Sequence, residues 1–391
     1  MYDVAVVGAG PTGCYAARQL ARLGYDVLVL EEHTEIGEPV HCTGIISREA
    51  CERLELDPDS IEAHLSCARF ISPGGRSFTV SADEPRAVVV DRSSFDRMLA
   101  QQALAGGAGF LLGARATNLA VEDDRVRISV RCLGEPYSFR VSLAIIATGV
   151  DDTLLRGLYL AKAAAPPIFG AQLFVDTGDL DEVEVYLGQQ VAPGGFAWAV
   201  PANGHGCRVG LLSSRPPRPL LSRFADTLEA RGAIRRNGSP VRCRAIPSGP
   251  RTPSFADRIL VIGDAAGQVK WTTSGGIYYG LLGAEAAVAA ADRAFRLGDL
   301  SSARLSRYEG EWTHRLGEEQ RTGSLLRGLQ SRLTDGDLDS LFWLAAHTGL
   351  PRLLSRIQFD WHTSGLLTLL CRDSVGASAE NVPGAALARR P

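Results

Sequence analysis

Glycines at 8, 10 and 13 and a carboxylate at Glu31 are the first residues whose types and spacing imply chemistry. Gly8-Ala9-Gly10-Pro11-Thr12-Gly13 follows the apolar run Val4-Ala5-Val6-Val7 and opens a helical stretch from about Cys14 to Leu23. Gly8 permits a tight turn, Gly10 lets the backbone approach a pyrophosphate, and Gly13 lets the helix pack closely on the strand. The helix N-terminus adds N–H donors and the positive end of a dipole. A second apolar run, Val27-Leu28-Val29-Leu30, ends at Glu31, an acceptor for ribose hydroxyls. Strand, turn, helix, strand and acid together predict a dinucleotide site. A turn that only packed a helix would leave Glu31 without a role.

A second set of residues lies far along the chain. Arg258-Ile259-Leu260-Val261-Ile262 runs into Gly263-Asp264-Ala265-Ala266-Gly267, where an acid can hold the polyol of an extended cofactor. Gly275-Gly276 then open a helix whose N-terminus suits an electron-rich ring edge, such as that of reduced flavin. A nicotinamide dinucleotide needs no second anchor so distant, so the two glycine sites together point to FAD. The eight cysteines form no CxxC pair and read as free thiols, and the seven histidines show no ligand spacing, so no metal is expected.

The elements that position these residues follow from hydrophobic periodicity and turn residues. The expected fold class is α/β: a Rossmann-type FAD-binding domain, an inserted antiparallel-sheet substrate domain and a helical C-terminal region. Residues 1–151 with 248–300 form the discontinuous FAD-binding domain. Strands at Ile168–Val175, Glu182–Leu187, Gly195–Val200 and Cys207–Leu212 mark residues 152–247 as the substrate domain, with a proline loop at Pro216, Pro217 and Pro219 before a helix at Ser222. Residues 301–373 read as helical, and 374–391 as a flexible tail.

Bulk properties limit the rest. The chain has 391 residues, 45% hydrophobic and 22% charged, enough for two domains. A net charge of -3 gives no footprint for nucleic acid. No secretory leader precedes the first strand, so a cytoplasmic location is expected. No apolar run approaches the roughly 18 residues of a spanning helix, which leaves peripheral contact as the form of membrane association to consider.

Four stretches carry a family resemblance: the N-terminal fingerprint with Glu31; Glu35-Ile36-Gly37-Glu38-Pro39-Val40-His41-Cys42-Thr43-Gly44; Asp91-Arg92 with Phe95-Asp96 and Leu99; and Gly263 through Gly283. Gly194-Gly195-Phe196-Ala197-Trp198-Ala199-Val200-Pro201 is a weaker fifth. Across about residues 1–300 the chain resembles the geranylgeranyl reductase family, within the flavoprotein group that includes para-hydroxybenzoate hydroxylase. It departs from that pattern at Trp271, Ser274 and Val200, and Gly149-Val150-Asp151-Asp152 matches the hydroxylase signature only loosely.

The resemblance implies that Thr12, Gly13 and Glu31 sit at the adenosine end of FAD, Ala116 at the adenine, and Arg92 at the centre. Cys42, Thr43 and Gly44 would lie beside the isoalloxazine, Asp264 at the ribityl–pyrophosphate part, and Gly276 and Ile277 at the pyrimidine edge. It implies reduction of isolated double bonds in a prenyl chain on a lipid, diphosphate or quinone, with NADPH or a ferredoxin-type carrier as electron donor. Phe196, Trp198 and Trp271 are the expected substrate wall. Cys42 is the expected proton donor or, equally, a small packing group; Lys270 is read as solvated. A flavin monooxygenase acting on an aromatic or isoprenoid quinone, and a non-catalytic prenyl-binding escort, are the rival functions.

Overall fold

The computed structural model describes residues 2–361, apart from 203 and 205. The expected tail at 374–391 and the apolar run at 366–370 lie outside these residues.

The first strand, Val4–Val7, is buried along its whole length, as a strand covered on both faces must be. It stands inside a six-stranded sheet, between Val27–Leu30 and Leu143–Ile146. Gly109–Leu111 and Ile259–Val261 extend the sheet in parallel on either side, and Phe255–Ala256 closes one edge antiparallel. Beyond the C-terminal ends of the central strands lie Gly8, Glu31, Thr148-Gly149 and Gly263-Asp264. Ligands of open α/β sheets bind at that end. The helices Pro11–Arg22 and Ile277–Arg296 pack together on one face, around Leu20, Tyr279 and Ala287. An antiparallel meander of Ala114–Glu122, Arg125–Cys132 and Glu135–Val141 covers the other.

The second sheet has eight strands on one path or branching from it. Ile168–Thr177, Gly206–Ser213, Ala197–Pro201 and Val183–Tyr186 are antiparallel neighbours, and Arg242–Ile246 pairs with the first of them. The sheet does not end at the expected boundary of residue 152. Cys67–Ile71 joins it in parallel beside Val183–Tyr186, and Ser77–Ser81 follows. Such long-range pairing leaves no local mark in the sequence, so the division by chain position differs from the division by sheet. The proline loop is also revised: the helix begins at Pro217, because first-turn positions need no N–H partner.

Helices Ser302–Gln330, Asp335–His347 and Leu350–Leu354 follow. Among the described residues no helix is long and apolar enough to cross a membrane.

Candidate functional site

The glycine turn is built by close approach. A Cβ on Gly13 would stand 2.1 Å from the Gly8 carbonyl oxygen, and one on Gly8 2.5 Å from that of Ala147. Around the corresponding point at Gly10 no atom lies within 4 Å. The Pro11–Arg22 helix has Gly10 as N-cap and no side-chain cap, so its first N–H groups face that space. Glu31 accepts from the backbone N–H of Ala9 at 2.8 Å and of His33 at 3.0 Å, which ties the second strand to the turn. An open cradle at a bare helix N-terminus fits a diphosphate.

The loop carrying Cys42 and Thr43 is held from the second sheet. Arg208 is 1% exposed and rises from the second sheet. Its Nη1 donates to the carbonyl oxygens of Thr43 at 2.6 Å and Val90 at 3.0 Å, and its Nη2 to Glu62. Burial holds its pKa below the usual arginine range although Glu62 opposes the shift. Thr43 Oγ1 donates to Gln172 Oε1 at 2.6 Å, leaving the buried Gln172 Nε2 beside the cavity without a partner among the described residues. The Gly44 N–H points at Cys42 Sγ, 3.4 Å away. Arg92 Nη2 donates to both oxygens of Asp96, at 3.0 and 2.9 Å. Burial disfavours the Arg92 cation, but Asp96 and Cys42 more than reverse this and raise its pKa.

At the second anchor, a Cβ on Gly276 would stand 2.5 Å from Asp264 Oδ1, so only glycine lets this helix start against the carboxylate. Lys270, expected in solvent, is 3% exposed. Its Nζ donates to the Phe359 carbonyl at 2.8 Å and to Asp360 Oδ1 at 3.1 Å, and lies 4.5 Å from the Phe359 ring centroid. Burial lowers its pKa against the pull of Asp360. Tyr279 adds a hydrogen bond to the Asp360 carbonyl. Residues 354–360 are thereby strapped over the site.

One cavity of about 1450 Å³ joins these parts. It reaches Gly8, Gly10, Thr12, Gly13, Glu31, Cys42, Thr43, Arg92 and Ala116, and also Gly263, Asp264, Gly275, Gly276 and Ile277. Gly44 stands behind this wall, its Cβ position 2.4 Å from the Val90 carbonyl oxygen. Phe196 and Trp198 line the far side with Phe70, Val183 and Val185. Trp271 is buried away from that wall, toward Gly323 of the Ser302–Gln330 helix. The sequence reading missed Arg208, Gln172 and the strap. A charge inside the run Cys207–Leu212, which is otherwise free of charged residues, was the available signal for Arg208. Among the described residues no group of acids, histidines and cysteines could hold a metal ion.

Comparison with known proteins places this geometry. Residues 3–70 match the FAD-dependent oxidoreductase family model. The digeranylgeranylglycerophospholipid reductase 1 of Methanococcoides burtonii is 34% identical over 355 residues, covering 87% of this chain and 86% of the relative. That of Methanocaldococcus jannaschii is 32% identical over 352 residues, covering 87% and 90%. Among solved structures, a geranylgeranyl bacteriochlorophyll reductase-like protein from Thermoplasma acidophilum superposes with a TM-score of 0.85 at 23% identity, covering 96% of this chain and 98% of its own. A flavin-dependent halogenase shares the fold at a TM-score of 0.71 and 20% identity, over 96% of this chain and 77% of that one. The cofactor is FAD, and the chain belongs to the digeranylgeranylglycerophospholipid reductase family of FAD-dependent oxidoreductases.

Proposed function

We propose that this protein saturates isolated double bonds in the prenyl chains of a phospholipid. The observation that carries the reading is one cavity in which the two glycine anchors face an apolar, aromatic wall. The names of the relatives supply the substrate class. Reduced FAD, when bound, supplies the hydride.

The chain's own residues supply binding, dryness and a proton. Gly10, Thr12, Gly13 and Glu31 hold the adenosine and diphosphate end, with Ala116 at the adenine. Arg92 and Asp264 hold the middle, and Gly275, Gly276 and Ile277 the pyrimidine edge. Thr43 and Gly44 fix the loop beside the ring. Phe70, Phe196 and Trp198 exclude water and seat the chain, because an unpolarised alkene offers nothing for a polar group to grip. The same lack of polarity means that a proton must reach one carbon as hydride reaches the other. We assign that proton to Cys42 Sγ.

The test is anaerobic. Chemically reduced holoprotein is mixed with digeranylgeranylglycerophospholipid, and the flavin absorbance is followed. Reoxidation with the unsaturated lipid, but not with its saturated counterpart, supports the reading. Flavin that stays reduced with both overturns it, and reoxidation that requires oxygen and inserts it into substrate favours a monooxygenase.

A further inference from the structure

The cavity face of the second sheet changes character along a single register row. Directly paired residues on neighbouring strands share a face. Arg242 pairs with Gln172, Gln172 with Gly210, Gly210 with Trp198, Trp198 with Val185 and Val185 with Phe70. The row therefore starts at a cation on the rim and ends among aromatic and aliphatic groups. At about 4.8 Å per strand it spans roughly 24 Å. A parallel row begins at Arg244, which pairs with Gly170, and continues to Leu212.

Both arginines line the cavity, and neither makes an ion pair among the described residues. Of the acids that line the same cavity, Glu32 and Asp151 pair with Arg115, and Glu38 accepts from Ser93. Arg244 Nη2 lies 2.5 Å from the Cβ position of Gly149, so this guanidinium packs against the bare backbone of a positive-φ turn. His41, with its buried Nδ1 unpartnered, shares this rim; burial and then the charges of Arg244 and Arg242 lower its pKa.

Two guanidiniums with no ion-pair partner among the described residues, at one end of an apolar track, are complementary to an amphiphile with a phosphate at one end. The resident dinucleotide already has its own diphosphate cradle at Gly10. We propose that Arg242 and Arg244 bind the phosphate of the prenyl substrate, and that the row from Gln172 to Phe70 sets the direction of its chain. This rests on the reductase reading, and it fixes which end of the substrate enters first.

The test uses holoprotein, with geranylgeranyl phosphate and geranylgeraniol as probes, and reads binding by quenching of tryptophan fluorescence. Wild type should bind the phosphate at least about tenfold more tightly than the alcohol. The preference should shrink with added salt. R242Q/R244Q should bind both probes alike and keep its FAD, and R242K/R244K should recover part of the preference. A double-glutamine variant that retains the phosphate preference overturns the proposal. So does one that loses FAD while the preference persists, which would assign the arginines to the cofactor's diphosphate. Phosphate-dependent binding without reduction of any prenyl lipid would instead sink the reductase reading and leave this site standing.

Discussion

Gly10 and Gly13 lie in one turn yet have opposite surroundings, and this separates ligand binding from folding at single-residue resolution. A methyl group on Gly10 would enter open cavity space, whereas one on Gly13 would strike the Gly8 carbonyl. Gly10→Ala should leave the melting temperature of FAD-free protein unchanged and weaken FAD about tenfold or more in a flavin titration. Gly13→Ala should lower the stability of the FAD-free protein itself, by about 1–3 kcal/mol. Cys42 makes a different forecast. If its thiol delivers the proton, Cys42→Ala should retain FAD and reduce prenyl lipid about 100-fold or more slowly, in the range of general acid catalysis. A rate equal to wild type would reduce Cys42 to a packing group. Arg208 and Glu62 have side chains 2% and 20% exposed. Arg208→Met strips Glu62 and the Thr43 and Val90 carbonyls of their donor, so denaturant unfolding should show a loss of about 3 kcal/mol, the lower end for a broken buried pair. FAD affinity should fall with it.

At the scale of elements, the helix Asp335–His347 gives a pH-dependent readout. Asp339 accepts from Ser72 Oγ at 2.5 Å and from the Gly74 N–H at 2.8 Å, fastening the helix to a turn of the second sheet. Thr334 and Asp337 form a capping box at its start. These hydrogen bonds lower both aspartate pKa values below the usual 3.8. Each carboxylate therefore contributes stability that is fully present above 3.8 and is lost as pH falls through its lowered folded value. Amide exchange protection in this helix, taken relative to the intrinsic rate at each pH, should fall on acidification through that window, and Asp339→Asn should flatten the response. Elements of this kind differed in how well the sequence announced them. The first strand–turn–helix was legible because periodicity and glycine placement agree locally. Ile61–Leu65 and Glu135–Val141 were not, since their burial patterns lack clean alternation. The membership of Cys67–Ile71 in the second sheet depends on a partner more than a hundred residues away.

For the whole molecule, the two glycine turns that face the cavity were readable because Gly8 and Gly263 adopt a positive φ and Gly13 stands against the Gly8 carbonyl, and glycine is visible in any sequence. The strap at 354–360 was not readable, because Lys270 and Asp360 are unremarkable charges until the fold buries them together. Breaking that pair from either side strands a buried charge. Lys270→Ala and Asp360→Ala should each destabilise the protein by about 3–5 kcal/mol, while Lys270→Met with Asp360→Leu should lose less than the sum. The strap, the aromatic wall and the two glycine turns line one space, where the proposed hydrogenation of a prenyl chain takes place. The most direct measurement is mass spectrometry of digeranylgeranylglycerophospholipid after anaerobic incubation with the reduced holoprotein. Mass gains in steps of two hydrogens are expected. An unchanged lipid in the presence of fully loaded, reduced protein would contradict the proposed hydrogenation.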